Sequence, residues 1–124
     1  MGEVKLGIAF EIVTILIGIE HLGIMLLEMF ASPAKQARAF DMDEDFLRQR
    51  PARISMANQG IYNGMLGLSL IVSQFIFAGM TAILVGRLLL LFVAVVGLYG
   101  ALTATKKIWL FQFIPAIIGL LLSL

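Results

Sequence analysis

The sequence predicts an all-α polytopic membrane protein with four transmembrane helices in an antiparallel bundle. Three observations carry that expectation. Apolar residues fill 60% of the 124 positions and charged residues only 14%, against roughly 25% charged in ordinary globular chains. Mean hydropathy is +1.01. A chain this short exposes too much surface for so few charges to coat, so lipid is the expected solvent for much of it. Finally, the apolar residues gather into four segments within one domain, 1–124.

The first segment runs from about Val4 to Phe30, about 40 Å as a helix at roughly 1.5 Å per residue. The second covers about 57–77, the third 80–102 and the fourth 108–124. Each of these three fits the range of about 17 to 25 residues that a span requires. Gly79 sits in a turn of a few residues, which makes the second and third helices an antiparallel hairpin; Thr103 to Lys107 forms the other tight turn. The only long polar stretch is 31–56, ASPAKQARAFDMDEDFLRQRPARISM. There Asp43 caps a short helix that begins with Glu44 and Asp45, with acid at the positive end of the dipole. Arg48 and Arg50 occupy its last turn and Pro51 stops it. Phe46 and Leu47 give it an apolar side suited to lying on the membrane surface.

Composition also excludes. There is no cysteine, so neither disulfides nor thiolate metal sites arise. A net charge of +1 is no footprint for nucleic acid. The N-terminal apolar run holds Glu11, Glu20 and His21 and lacks the uninterrupted core of a cleavable signal peptide. Nothing resembles a phosphate loop, a dinucleotide fingerprint or a nucleophile elbow, and no cofactor is expected. Of nine cations, Lys35, Arg38, Arg48, Arg50 and Arg53 fall in the first loop and Lys106 and Lys107 in the third, seven in all. Lys5 alone lies at the other surface. This bias makes the loop side cytoplasmic and puts both termini outside a bacterial inner membrane.

Against that frame several residues are out of place. In GIEHLGIMLLEMF, residues 18–30, Glu20, His21 and Glu28 interrupt an otherwise apolar run. At 100° per residue His21 and Glu28 lie about 20° apart, and Thr14 and Glu11 complete a polar stripe. Glu20 projects roughly 100° from His21. The second helix opens with ANQGIYNG, which brings Asn58 and Gln59 to the depth of Glu28 and Asn63 toward His21. Gln112 and Tyr99 lie at a similar depth. Gly60, Gly64 and Gly67 make a small-residue stripe, a route to close packing or to a homo-oligomer. Arg87 matches the depth of Glu11, and the pair reads as a structural ion pair. Amides and hydroxyls on such faces often serve packing alone. Ionisable groups at mid-depth are costly enough to point to function.

EHLGIMLLEMF, NQGIYNG, GLYGALTATKK and QFIPA together resemble a family of small bacterial four-span membrane proteins, domain of unknown function 1304. The resemblance covers nearly the whole chain. It implies the topology but no reaction, and Glu20, His21, Glu28, Asn58, Gln59, Tyr62 and Asn63 match its motif positions. Two kinds of function fit these residues. One is binding or transport of a small lipophilic or cationic molecule, with Glu20 and His21 exchanging protons. Size and a first-helix glutamate are similar to the small multidrug transporters, but their local motif is absent. The other is a membrane-embedded enzyme using glutamate and histidine in acid–base chemistry on a lipophilic substrate. A metal on His21 and Glu28 is a weaker variant, since the chain has one histidine. A purely structural role stands beside both.

Overall fold

Thr14, His21 and Glu28 recur every seven residues, and together with Phe10 and Ile17 they form one seam of the first helix. In the computed structural model, which describes residues 2–124 and side chains from residue 7 onward, all five are buried to 3% exposure or less. Lys5, counted above at the opposite surface, lies outside the residues with described side chains. The seam belongs to α1 (Gly2–Phe30) and packs along α4 (Arg50–Ile76). A Cβ on Gly67 would fall against Gly18 O, and one on Gly60 against Glu28 and Met29. Register 18–67 and 28–60 makes the pair antiparallel. The three glycines are what let the backbones approach this closely.

That placement corrects one expectation. Gly60, Gly64 and Gly67 are buried against α1 of the same chain, so the stripe is filled internally and offers no surface to a second copy.

α4 ends at Ile76, and α5 (Gly79–Thr103) follows after two residues in extended conformation. Gly79 takes the left-handed backbone, φ +59°, that this turn demands. The chain then passes through a π-helical turn, Trp109–Phe113, into α6 (Ile114–Leu122). Pro115 lies in the first turn of α6, where its missing N–H is tolerated. Together α1, α4, α5 and α6 close a ring in which each rod packs on the next and α6 returns to α1. Among the described residues no strand occurs. Phe10, Ile17, Leu70, Leu90, Val93, Ala94 and Ala116 form the core. They lie in the half of the ring away from the long loop, which leaves the loop half less filled.

The loop departs from expectation in two places. Ser32 and Pro33 start an unforeseen helix, α2 (Pro33–Phe40), with Ser32 Oγ accepting from Lys35 N at 3.3 Å. The capped helix does form, as α3 (Glu44–Arg48), with the Asp43 carboxylate accepting from Phe46 N at 3.1 Å. Pro51, however, does not stop it. It sits in the first turn of α4, which therefore begins seven residues before the segment read from hydropathy. Gln36 of α2, 3% exposed, donates from Nε2 to Leu27 O at 2.9 Å and Glu28 O at 3.0 Å. It thereby adds a second donor to Leu27 O, which already accepts from Ala31 N at 3.3 Å, and a donor to Glu28 O, both in the last turn of α1.

Among the described residues, two helices are long and apolar enough to cross a membrane: Gly7–Phe30 and Gly79–Thr103. The helical stretch Trp109–Leu122 is apolar but shorter.

Candidate functional site

In the less filled half of the ring, a cavity of about 630 Å³ opens between α1, α4 and the π-helical turn. α1 contributes Glu20, Gly23, Ile24, Leu27 and Glu28, and α4 contributes Gln59 and Asn63. Ile108, Phe111 and Gln112 come from the start of the last helical stretch. The π turn matters here. Its wider winding shifts the side chains that follow relative to an α-helix, and Gly97 on α5 lets Gln112 and Phe113 approach. Phe40 of α2, with Thr105 and Lys107 of the α5–α6 turn, borders the loop end.

The polar groups in this apolar chamber are few and unequally satisfied. Asn63 Nδ2 donates to Glu28 Oε1 at 2.5 Å, tying α4 to α1. Glu28 is otherwise enclosed, 2% exposed. Glu20 is half-buried on the cavity wall, and its buried Oε1 has no hydrogen-bond partner among the described residues. An acceptor without a donor in such a place is costly and calls for an explanation.

The mouth of the cavity is fastened. Asp41 ends α2 in the left-handed conformation, φ 54°, which a short polar side chain tolerates. It accepts from Thr105 Oγ1 at 2.5 Å and pairs with Lys107 Nζ at 3.0 Å. Lys107 Nζ also donates to Arg38 O at 2.7 Å. The Thr105 hydroxyl and the Lys107 ammonium hold the exposed Asp41 carboxyl below the usual carboxylate range. This latch joins the first loop to the α5–α6 turn, so both lie at one end of the ring.

The expected site residues therefore divide. Glu20, Glu28, Gln59 and Asn63 come together at the cavity. His21 does not line it. Its side chain is buried with Cβ against Gly67, and Nδ1–H donates to Ile17 O at 2.9 Å; the tautomer follows from the carbonyl partner. Asn58 faces outward, as do Tyr62 and Tyr99, at 72% and 71% exposure. Asn63 meets Glu28 rather than His21. Glu11 and Arg87 do not pair: Glu11 is exposed, while Arg87 reaches the end of α6, donating to Ser123 Oγ at 3.0 Å and to Ser123 O. The seven-residue seam is narrower than the stripe drawn on a helical wheel, and Glu11 falls off its edge. Sequence reasoning missed Phe40, Asp41, Thr105 and Lys107, whose meeting depends on how the two loops fold. Among the described residues no three histidine, aspartate or glutamate side chains gather where they could hold a metal ion.

Comparison with known proteins places this geometry. The family described as Protein of unknown function (DUF1304) matches residues 15–124. The chain belongs to that family. An uncharacterized protein, YpaA of Lactococcus lactis subsp. lactis (strain IL1403), is 41% identical over 113 residues, which cover 90% of this chain and 93% of that protein. No solved structure matches. The DUF1304 match takes in every cavity-lining residue and begins just before the Glu20 turn of α1. The α1 turns before residue 15, with Glu11, lie outside it.

Proposed function

We propose that this DUF1304 protein crosses the bacterial inner membrane four times and binds a small lipophilic cation in the cavity between α1, α4 and the π turn. Both termini lie outside, and the latched loop end faces the cytoplasm. Support for the spans comes from the outer faces of all four rods. Leu16 and Ile19 on α1, Met65 and Phe75 on α4, Leu88 and Val95 on α5, and Leu110 and Leu121 after the last turn all expose large apolar side chains. Continuous apolar exposure of this kind is the mark of a surface that meets lipid. The cation bias of the two loops supports the orientation.

One observation carries the ligand class: the unpartnered Glu20 carboxylate on the wall of an otherwise apolar chamber. Ile24, Leu27, Ile108 and Phe111 would hold an apolar body, and Phe111 offers a ring face to a cation. The other charged groups at the chamber are already engaged, Glu28 by Asn63 and Lys107 by Asp41. In this reading a cation and a proton compete for Glu20. Acid–base catalysis would have to rely on Glu20 and Glu28 without His21.

The test is equilibrium binding of tetraphenylphosphonium to the purified protein across pH 5 to 9. Affinity should rise with pH in the native chain. Glu20→Gln should bind at least about tenfold more weakly, about 1.4 kcal/mol, with a flat profile. A pH-independent native chain, or full affinity in Glu20→Gln, would sink the reading.

A further inference from the structure

A second cavity, of about 360 Å³, opens where the end of α1, α2 and the junction of α3 with α4 meet. Its character is opposite to the first. Arg48, Arg50 and Arg53 stand around it. Arg48 has an exposed contact with Glu44 at 3.4 Å, while Arg50 and Arg53 make no ion pair among the described residues. The cavity also takes in the N-terminus of α4, where Gln49 supplies no side-chain cap. A 27-residue helix thus presents its positive end beside three guanidinium groups.

A third feature is independent of charge. Gln36, 3% exposed, lines the same cavity, and its amide N–H groups are spent on Leu27 O and Glu28 O. Its buried Oε1 has no donor among the described residues. The built groups are therefore strong donors for an anion plus one acceptor for a hydroxyl. Glu28 also borders the cavity, but its carboxylate is held by Asn63. Ile54, which lines the cavity, is 58% exposed, and Phe30, next in sequence to the lining residue Met29, is 72% exposed, so apolar surface adjoins the site.

We infer that this cavity binds the headgroup of an anionic glycerophospholipid. The phosphate sits between Arg50, Arg53 and the first turn of α4, a headgroup hydroxyl reaches Gln36 Oε1, and the acyl chains run past Ile54 and Phe30. Guanidinium suits phosphate because its planar fork donates two parallel hydrogen bonds. Basic recesses at the cytoplasmic edge of spanning helices are placed to meet such headgroups. The inference rests on the reading of the chain as a membrane protein, but not on what occupies the Glu20 cavity.

The test is native mass spectrometry of the full chain released from detergent. Short-chain phosphatidylglycerol is compared with short-chain phosphatidylcholine, and inorganic phosphate serves as competitor. The native chain should prefer the glycerol lipid by about thirtyfold, as two interfacial cations warrant. The double variant Arg50→Gln/Arg53→Gln should lose that preference. Lys106→Gln, an exposed cation at the same end but outside the cavity, should keep it. Equal binding of the two lipids by the native chain overturns the inference without any variant. So does a preference that survives in the double variant, or one that Lys106→Gln removes equally. Displacement of the lipid by an equal concentration of inorganic phosphate would also overturn it, marking a free-anion site.

Discussion

Gly67→Ala is the sharpest perturbation of the α1–α4 seam. The added methyl would lie 2.5 Å from Gly18 O, 3.0 Å from His21 Cβ and 3.1 Å from Leu22 N. Two of those neighbours are backbone and cannot rotate away. Relief requires the helices to part by about 1 Å, and a gap of that size forfeits a quarter to a half of each contact's attraction along the seam. Overpacking costs about 1 to 3 kcal/mol, and this site belongs at the upper end, about 3 kcal/mol. Two controls isolate the cause. The three atoms nearest a methyl on Gly64 all belong to the Met25 side chain, whose thioether end can swing aside, so the cost should fall near the lower end of overpacking, about 1 kcal/mol. A methyl on Gly23, inside α1, meets nothing within 4 Å and should leave stability unchanged or raise it by up to about 1 kcal/mol, the helix-propensity gain that all three variants share. Reversible unfolding in mixed micelles, followed by circular dichroism, measures all three. Gly67→Ala within about 0.5 kcal/mol of the native chain, or no dearer than Gly23→Ala, would refute the argument.

Two further outcomes are expected. Asn63→Leu strips the donor from Glu28, and leaving a buried carboxyl group unpartnered should cost about 2 to 3 kcal/mol. Glu28→Leu/Asn63→Leu should cost less than the two single changes summed, so additive energies in the same unfolding assay would disprove the coupling. The latch should loosen in acid. Because the folded Asp41 carboxyl is held below its usual range, its contribution is present above the unfolded value near about 3.9 and is lost as pH falls through the folded one. Hydrogen exchange at Met42 and Lys107, corrected for intrinsic rate, should be flat from neutrality down to about pH 4 and rise below it. Asp41→Asn keeps the left-handed cap and should raise exchange at neutral pH toward the level the native chain reaches in acid, where the two should converge; unchanged exchange in that variant at neutral pH would show that the ion pair fastens nothing.

How much of this was legible in the sequence depends on how far apart the interacting residues lie. The α1–α4 seam was nearly all there: polar groups repeating along α1, a glycine stripe on α4, and a polar start to α4 at the depth of Glu28. Helix caps were equally readable where the signal is local, as at Asp43. Pro51 shows the limit of that logic. A proline both ends the helix before it and suits the first turn of the next, and only the position of Gln49 between α3 and α4 decides which. α2 was missed because PAKQARAF has little apolar content for hydropathy to register, although Ser32 before Pro33 is a helix-start signal.

The site was legible to the extent that one helix can sort its own faces. The 100° between His21 and Glu20 separates two environments. His21 is taken up by the seam and satisfied by its own helix, so most of the functional weight it carried in the sequence passes to Glu20. Which neighbour Glu20 would face was not readable, because that depends on the π turn before Pro115 bringing Phe111 and Gln112 across the chamber. Nor was the latch, since Asp41 and Thr105 lie 64 residues apart in loops whose meeting the bundle dictates. Arg87 follows the same rule. Matching depth on two helices offered Glu11 as its partner, but depth says nothing of azimuth, and the end of α6 lies on the side that Arg87 faces. What a sequence withholds here is the rotation of each rod about its axis. That rotation separates a carboxylate held by Asn63 from one left open to a ligand.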